Sequence, residues 1–167
     1  MLELQDFPNP ETLKAFATQF PELDLSALQT WLSLMRVSGE VLAYLEDYLS
    51  DYKLSQRKFF ILILLVRNPD GLNISQLAEK TGVSCASMTG LVERMKKSDL
   101  VTREENASDR RVMVVQITPS GKTLLEQVLP NHYRRVSELM SGLSDRERDT
   151  LQRLLEQILG KVPSQAD

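Results

Sequence analysis

Two adjacent arginines behind an aspartate, Asp109-Arg110-Arg111, are residues whose types and spacing could do chemistry. A guanidinium is a permanent cation with a fork of donors, and a neighbouring carboxylate can brace it, so this tip suits insertion into concentrated negative potential. The alternative is a solvated charged loop. A second set lies upstream. Ser84, Ser87 and Thr89 supply small hydroxyls, and Arg94, Lys96 and Arg103 supply cations. Hydroxyls can reach base edges or phosphates, and cations can neutralise phosphates. Met88 or Ala86 could touch a thymine methyl. Met88 equally fits the apolar series Met88, Leu91, Val92, Met95, whose spacing reads as the buried side of a helix, and both readings stay open. Glu93, Glu104 and Glu105 could instead engage some of the cations, among them Lys97, while Arg57 and Lys58 are placed to touch flanking phosphates.

The elements that must position these side chains are legible. Asn73 stands three residues before Gln76, which allows a reciprocal capping box, and Ile74, Leu77 and Ala78 supply the apolar side of a short helix. Gly82 stops it, since glycine takes the left-handed conformation a turn needs. Ser84 then caps a second helix from about Cys85 to Ser98. Beyond it, Leu100 to Arg103 and Val112 to Ile117 read as two strands joined by a polar loop over 104–111. Thr118-Pro119 opens a further helix, with threonine as cap and proline at the first position, where its missing N–H costs nothing. Helix, tight turn, helix and hairpin together predict a winged helix that grips DNA, its second helix lying in the major groove.

In order along the chain stand Ile74-Ser75-Gln76-Leu77-Ala78, Thr81-Gly82-Val83-Ser84, Leu91-Val92-Glu93-Arg94, Leu100-Val101-Thr102-Arg103, Asp109-Arg110-Arg111 and Ile117-Thr118-Pro119-x-Gly121. This series resembles the MarR family of bacterial winged helix-turn-helix transcription regulators, over residues 28 to 160. The first 24 residues have no clear counterpart. Asp99 stands where that family usually has glycine, which implies a small local cost and the same fold. The resemblance implies a homodimer on an imperfect palindrome, repression as the commoner outcome, Arg111 as the side chain inserted into the minor groove, and a small aromatic or anionic effector bound between the dimer helices and the winged lobe. Trp31, Met35, Arg36, Tyr44, Tyr48 and His132 are the candidate pocket residues, although a Trp or Met on an apolar stripe is commonly core.

The fold class expected is mainly α with a small β-hairpin wing. Residues 1–24 form an N-terminal extension, 25–54 and 119–162 dimerisation helices, and 55–118 the DNA-binding lobe. Trp31, Leu34, Met35, Val41, Leu42, Leu45 and Leu49 make one long apolar stripe. Leu151, Leu154, Leu155, Ile158 and Leu159 make another, behind a Ser144–Glu147 capping box. These two helices are expected to pack against each other and against a second copy. Ser55 caps an almost wholly apolar helix bounded by Asn68-Pro69-Asp70-Gly71. Pro130 should bend the helix that begins at Pro119, either at a joint between two lobes or as it wraps its own core. Glu11 to Phe20 reads as a short helix among Pro8, Pro10 and Pro21, either covering the dimer seam or held as a loose arm.

Charge is segregated. The chain has 167 residues and net charge −3, yet residues 55–122 carry 11 Lys and Arg against 7 Asp and Glu, and the remainder 9 against 16. DNA affinity depends on where cations meet phosphates, so the net value does not exclude it. One histidine, one cysteine and the lack of a phosphate loop or nucleophile elbow argue against an enzyme, a metal and a cofactor. The apolar run Phe59 to Val66 is too short for a bilayer and no signal segment is evident, so a cytoplasmic protein without membrane contact is expected. Two alternatives stand beside the regulator. One is a winged helix repurposed as a protein-interaction module. The other is thiol-based redox control through Cys85, at a helix N-terminus that favours negative charge, although the family's peroxide sensors carry their cysteine in the N-terminal dimer helix, which this chain lacks.

Overall fold

The computed structural model describes residues 8–105 and 113–163. Within them α1 (Pro10–Gln19), α2 (Leu25–Ser50), α3 (Gln56–Arg67), α4 (Ile74–Thr81), α5 (Cys85–Lys97), α6 (Pro119–Leu139) and α7 (Asp145–Leu159) surround one hairpin of β1 (Val101–Glu105) and β2 (Met113–Ile117). The expected class, mainly helical with a small hairpin wing, is the one observed.

Local chemistry sets the ends of the helix-turn-helix. Asn73 Oδ1 accepts from Gln76 N, and Gln76 Oε1 accepts from Asn73 N, both at 2.9 Å, completing the capping box of α4. Gly82 closes α4 at φ 65°, and Val83 N donates to Ala78 O at 3.1 Å, a Schellman end that turns the half-buried Val83 inward. The same motif ends α5 with Asp99 at φ 56°: Leu100 N donates to Met95 O and Asp99 N to Lys96 O, each at 3.0 Å. The aspartate is further held. Ser120 Oγ donates to Asp99 Oδ2 and Thr118 Oγ1 to its carbonyl, both at 2.6 Å.

The hairpin is antiparallel, pairing Val101 with Ile117 and Glu105 with Met113. The first strand therefore starts one residue later than its sequence suggests and runs on through Glu104 and Glu105. Leu100 is spent on closing α5, while cross-strand bonds hold the two glutamates that composition assigns to a loop. A third strip joins the sheet unannounced: Leu72 and Val115 exchange N–H to O bonds of 3.1 and 2.8 Å. Asp109, Arg110 and Arg111 lie outside the described residues.

The core gathers in the winged lobe. Phe59, Ile61, Leu62 and Leu65 of α3 are buried against Leu77 of α4, Met88, Leu91, Val92 and Met95 of α5, and Val101 and Val115 of the hairpin. Tyr48 and Leu49 at the end of α2 and Leu125 and Val128 on α6 join them. Burying each large apolar side chain contributes roughly 1.5–3 kcal/mol. Helix α3 is central as expected, although Phe60 and Val66 stay exposed.

The helices expected to dimerise differ from this pattern. Within one chain α7 buries no residue, so its apolar stripe is left without cover. The expectation that α2 and α7 bury each other fails within the protomer, because the core sits at the far end of α2. Helix α6 runs unbroken through Pro130, which marks a changeover: the half before it buries Gly121, Leu125 and Val128, and the half after it buries nothing.

Candidate nucleic-acid interface

Helix α5 is held by its inner side, so its outer side is presented in a fixed orientation. Ser84 Oγ caps it, accepting from Ser87 N at 3.3 Å and lying 3.0 Å from Ser87 Oγ. Ser84, Ala86, Ser87, Thr89, Arg94 and Lys96 are all exposed. Thr89 Oγ1 donates back to Cys85 O at 2.9 Å, which fixes its rotamer and leaves its oxygen lone pairs outward. Met88 is fully buried. It belongs to the core and cannot meet a thymine methyl, which decides between the two readings its spacing left open.

The cations divide into two groups. Arg103 Nη1 lies 3.5 Å from Glu93 Oε1, tying β1 to α5, so a phosphate would have to compete for it. Arg57, Lys58, Arg94, Lys96 and Lys97 join no ion pair among the described residues. Three of these five converge. A cleft of about 660 Å³ between the first turn of α3 and the outer side of α5 is lined by Arg57, Lys58 and Arg94, with Ser55, Ser87 and Gly90. The Arg94 guanidinium lies back along the helix over Gly90, where an added methyl would stand in ordinary contact with Arg94 Nη1 at 3.6 Å. The amide ends of α3 add positive potential at the same place. Sequence reading names Arg57, Lys58 and Arg94 separately; only folding brings residues 37 apart in the chain to one cleft.

This cleft is coupled to α2. Gln56 N donates to Glu46 Oε2 at 2.8 Å, and Gln56 Nε2 donates to Leu42 O at 2.5 Å. Neither Glu46 nor Gln56 stands out in the sequence, because each is an ordinary polar residue on a helical surface.

The six candidate effector residues do not converge. Trp31 and Met35 are 56% and 50% exposed and lie between about 14 and about 26 Å from Tyr44 and Tyr48 along α2, at 1.5 Å per residue. Arg36 is exposed on the same stretch. Tyr48 is buried, its hydroxyl donating to Val128 O at 2.7 Å. Burial, then the hydrogen bond with Tyr52, pushes its pKa up to about 12. Tyr44 and Tyr48 both face Arg135, whose guanidinium carbon lies 4.8 and 4.6 Å from their ring centres. His132 stands edge-on to Phe59 at 5.0 Å, and burial lowers its pKa. Arg135 is thus the residue that sequence reading passes over; its i+3 spacing from His132 was the available signal. Cys85 is exposed, with Sγ 3.9 Å from Ser75 Oγ.

The model of the MarR family matches residues 54–113. The HTH-type transcriptional repressor YetL of Bacillus subtilis (strain 168) is 30% identical over 162 residues, covering 96% of this chain and 97% of that protein. Among solved structures, CouR from Rhodococcus jostii RHA1 bound to p-coumaroyl-CoA superposes with a TM-score of 0.68 at 25% identity, covering 80% of this chain and 92% of that one. AbsC, a MarR family transcriptional regulator from Streptomyces coelicolor, reaches 0.73 at 22% identity over 93% and 97% of the two chains.

Proposed function

This chain belongs to the MarR family of DNA-binding transcriptional regulators, and on that premise we propose that it is a ligand-responsive repressor acting as a homodimer on a pseudo-palindromic operator. The observation that carries the reading is the outer side of α5, exposed along Ser84, Ser87 and Thr89 and bordered by the cleft of Arg57, Lys58 and Arg94. Ser84, Ser87 and Thr89 would read base edges in the major groove, while Arg57, Lys58, Arg94 and Lys96 would hold the phosphates on either side. Arg111, braced by Asp109 and beside Arg110, would enter the minor groove.

Residues 55–118 form the reading lobe in this proposal. Residues 25–54 and 119–162 carry the two-fold contact, so half-sites would be separated by about one helical turn of roughly 10 bp. CouR, crystallised with an acyl-CoA, supports a role for a small effector. Of the six expected pocket residues, Tyr44 and His132 would remain available for one, with Arg135, which the expectation did not include, over the Tyr44 ring. Among the described residues no helix is long and apolar enough to cross a membrane, in keeping with a cytoplasmic regulator. The relatives are transcriptional regulators, a non-enzymatic role, and no catalytic function is proposed.

Fluorescence anisotropy with duplex DNA from upstream of the protein's own gene, titrated with salt, tests the proposal. Arg94→Ala should weaken binding to all duplexes about equally and reduce the salt slope by about 1, whereas Arg111→Ala should cost about 1–3 kcal/mol on the operator. Weak binding to every duplex, indifferent to both substitutions and to salt, would favour a protein-interaction module.

A further inference from the structure

The N-terminal extension builds a second cavity, remote in sequence from the DNA-reading residues. Helix α1 is capped by Asn9, whose Oδ1 accepts from Thr12 N at 2.8 Å, and it is pinned by the buried Leu13 against α2, where Leu32 is buried. Between the two helices lies a groove of about 650 Å³, walled by Leu13, Phe16 and Phe20 on one side and Leu28 and Leu32 on the other. That volume falls within the roughly 300–1,000 Å³ typical of small-molecule sites.

The charge of this groove is one-sided. Glu22 and Asp24 stand in its lining, which among the described residues contains no lysine, arginine or histidine. Phe16 and Phe20 are stacked, 6.2 Å between centres and 14° between planes, and remain 47% and 43% exposed. Exposed ring faces attract cations and repel anions. Asp24 spends one oxygen on capping α2, accepting from Ala27 N at 2.9 Å, and Glu22 has no partner among the described residues.

We propose that the groove between α1 and α2 binds a lipophilic organic cation. Its apolar body would lose water against the leucines, and its charge would meet the phenylalanine faces and the two carboxylates. An anion of the same shape would gain the same apolar contact but meet repulsion from the ring faces and the carboxylates. The site is independent of DNA reading and is tested on the full-length protein alone.

Tetraphenylphosphonium and tetraphenylborate have one shape and opposite charge, so their titration separates greasy contact from charge recognition. Trp31 is the single tryptophan and neighbours Leu32 on α2, giving an intrinsic fluorescence readout alongside equilibrium dialysis. The wild type should bind the phosphonium saturably, at least about tenfold more tightly than the borate, on the scale of one desolvated cation–π contact. Glu22→Gln combined with Asp24→Asn removes both charges while keeping a good helix cap, and should erase most of that preference. Phe16→Ser should weaken both probes. Equal affinities, a borate preference or no saturable binding would overturn the proposal. So would a groove that neither probe enters while Phe16→Ser loosens self-association in sedimentation, since it would then be covered by a second copy.

Discussion

Asp99 shows how one residue can depart from a family's pattern without changing the fold. It occupies the left-handed position that ends α5, where a side chain costs about 1 kcal/mol relative to glycine, and offsets part of that by accepting from Ser120 Oγ. Asp99→Gly should therefore raise stability by less than about 1 kcal/mol in urea unfolding. Asp99→Val, branched and without an acceptor, should lower it by about 1–2 kcal/mol. His132 carries a pH dependence. Burial against Phe59 lowers its pKa below 6.5, so the unfolded chain takes up its proton at higher pH than the folded one. Its contribution to stability is present above pH 6.5 and is lost as pH falls through and below that value. Stability measured between about pH 7 and about pH 5 should thus fall in the wild type and fall less in His132→Gln.

Among the elements, α6 carries the clearest division of labour. Its first half is built into the winged core and its second half, though Asn131, His132 and Arg135 are half-buried, places no residue in that core, with Pro130 at the boundary and Tyr48 bonded to Val128 O just before it. Proline removes the bond its N–H would have made to the carbonyl four residues back, Glu126. Pro130→Ala should restore it and raise stability, by at most about 3 kcal/mol, visible as an increased Tm. A drop in operator affinity in the same variant would mark Pro130 as the joint that sets the separation of the two reading lobes. Unchanged affinity would mean that the helix only wraps its own core. The clasp of Gln56 on Glu46 and Leu42 is the complementary link, since it joins α2 to the turn that carries Arg57 and Lys58.

For the molecule as a whole, the apolar stripe of α7 is the main unbalanced feature. Leu151, Leu154, Leu155 and Ile158 are each about two-fifths exposed, and Trp31, Met35 and Leu42 of α2 are comparably open. A soluble chain rarely leaves so much contiguous apolar surface without a partner. A two-fold contact between copies would cover it and set the two reading lobes at a fixed spacing. Leu155→Lys should leave the protomer folded, because α7 contributes nothing to its buried core. It should shift sedimentation toward the monomer and weaken operator binding in parallel. A variant that stays dimeric with unchanged affinity would place the two-fold contact elsewhere.

The helix-turn-helix and hairpin were legible because short-range chemistry specifies them: Asn73 with Gln76, Gly82, Ser84 and Thr118-Pro119 act within a turn of where they stand in the chain. Helical spacing likewise identified Leu91, Val92 and Met95 as buried. What spacing left ambiguous, such as Met88 as base contact or core, depended on which side of α5 faces Leu77 and Phe59, a matter of packing between elements. The convergence of Arg57, Lys58 and Arg94, the pairing of Leu72 with Val115, the approach of Arg135 to Tyr44 and Tyr48 and the groove beneath α1 likewise came from tertiary structure. Each joins residues distant in the chain, and no local propensity encodes the distance between them. Sequence alone determined the kind of lobe this chain makes, because capping and periodicity act locally. Tertiary structure decided which cations share a cleft and which apolar faces stay open, because those follow from how the helices cross.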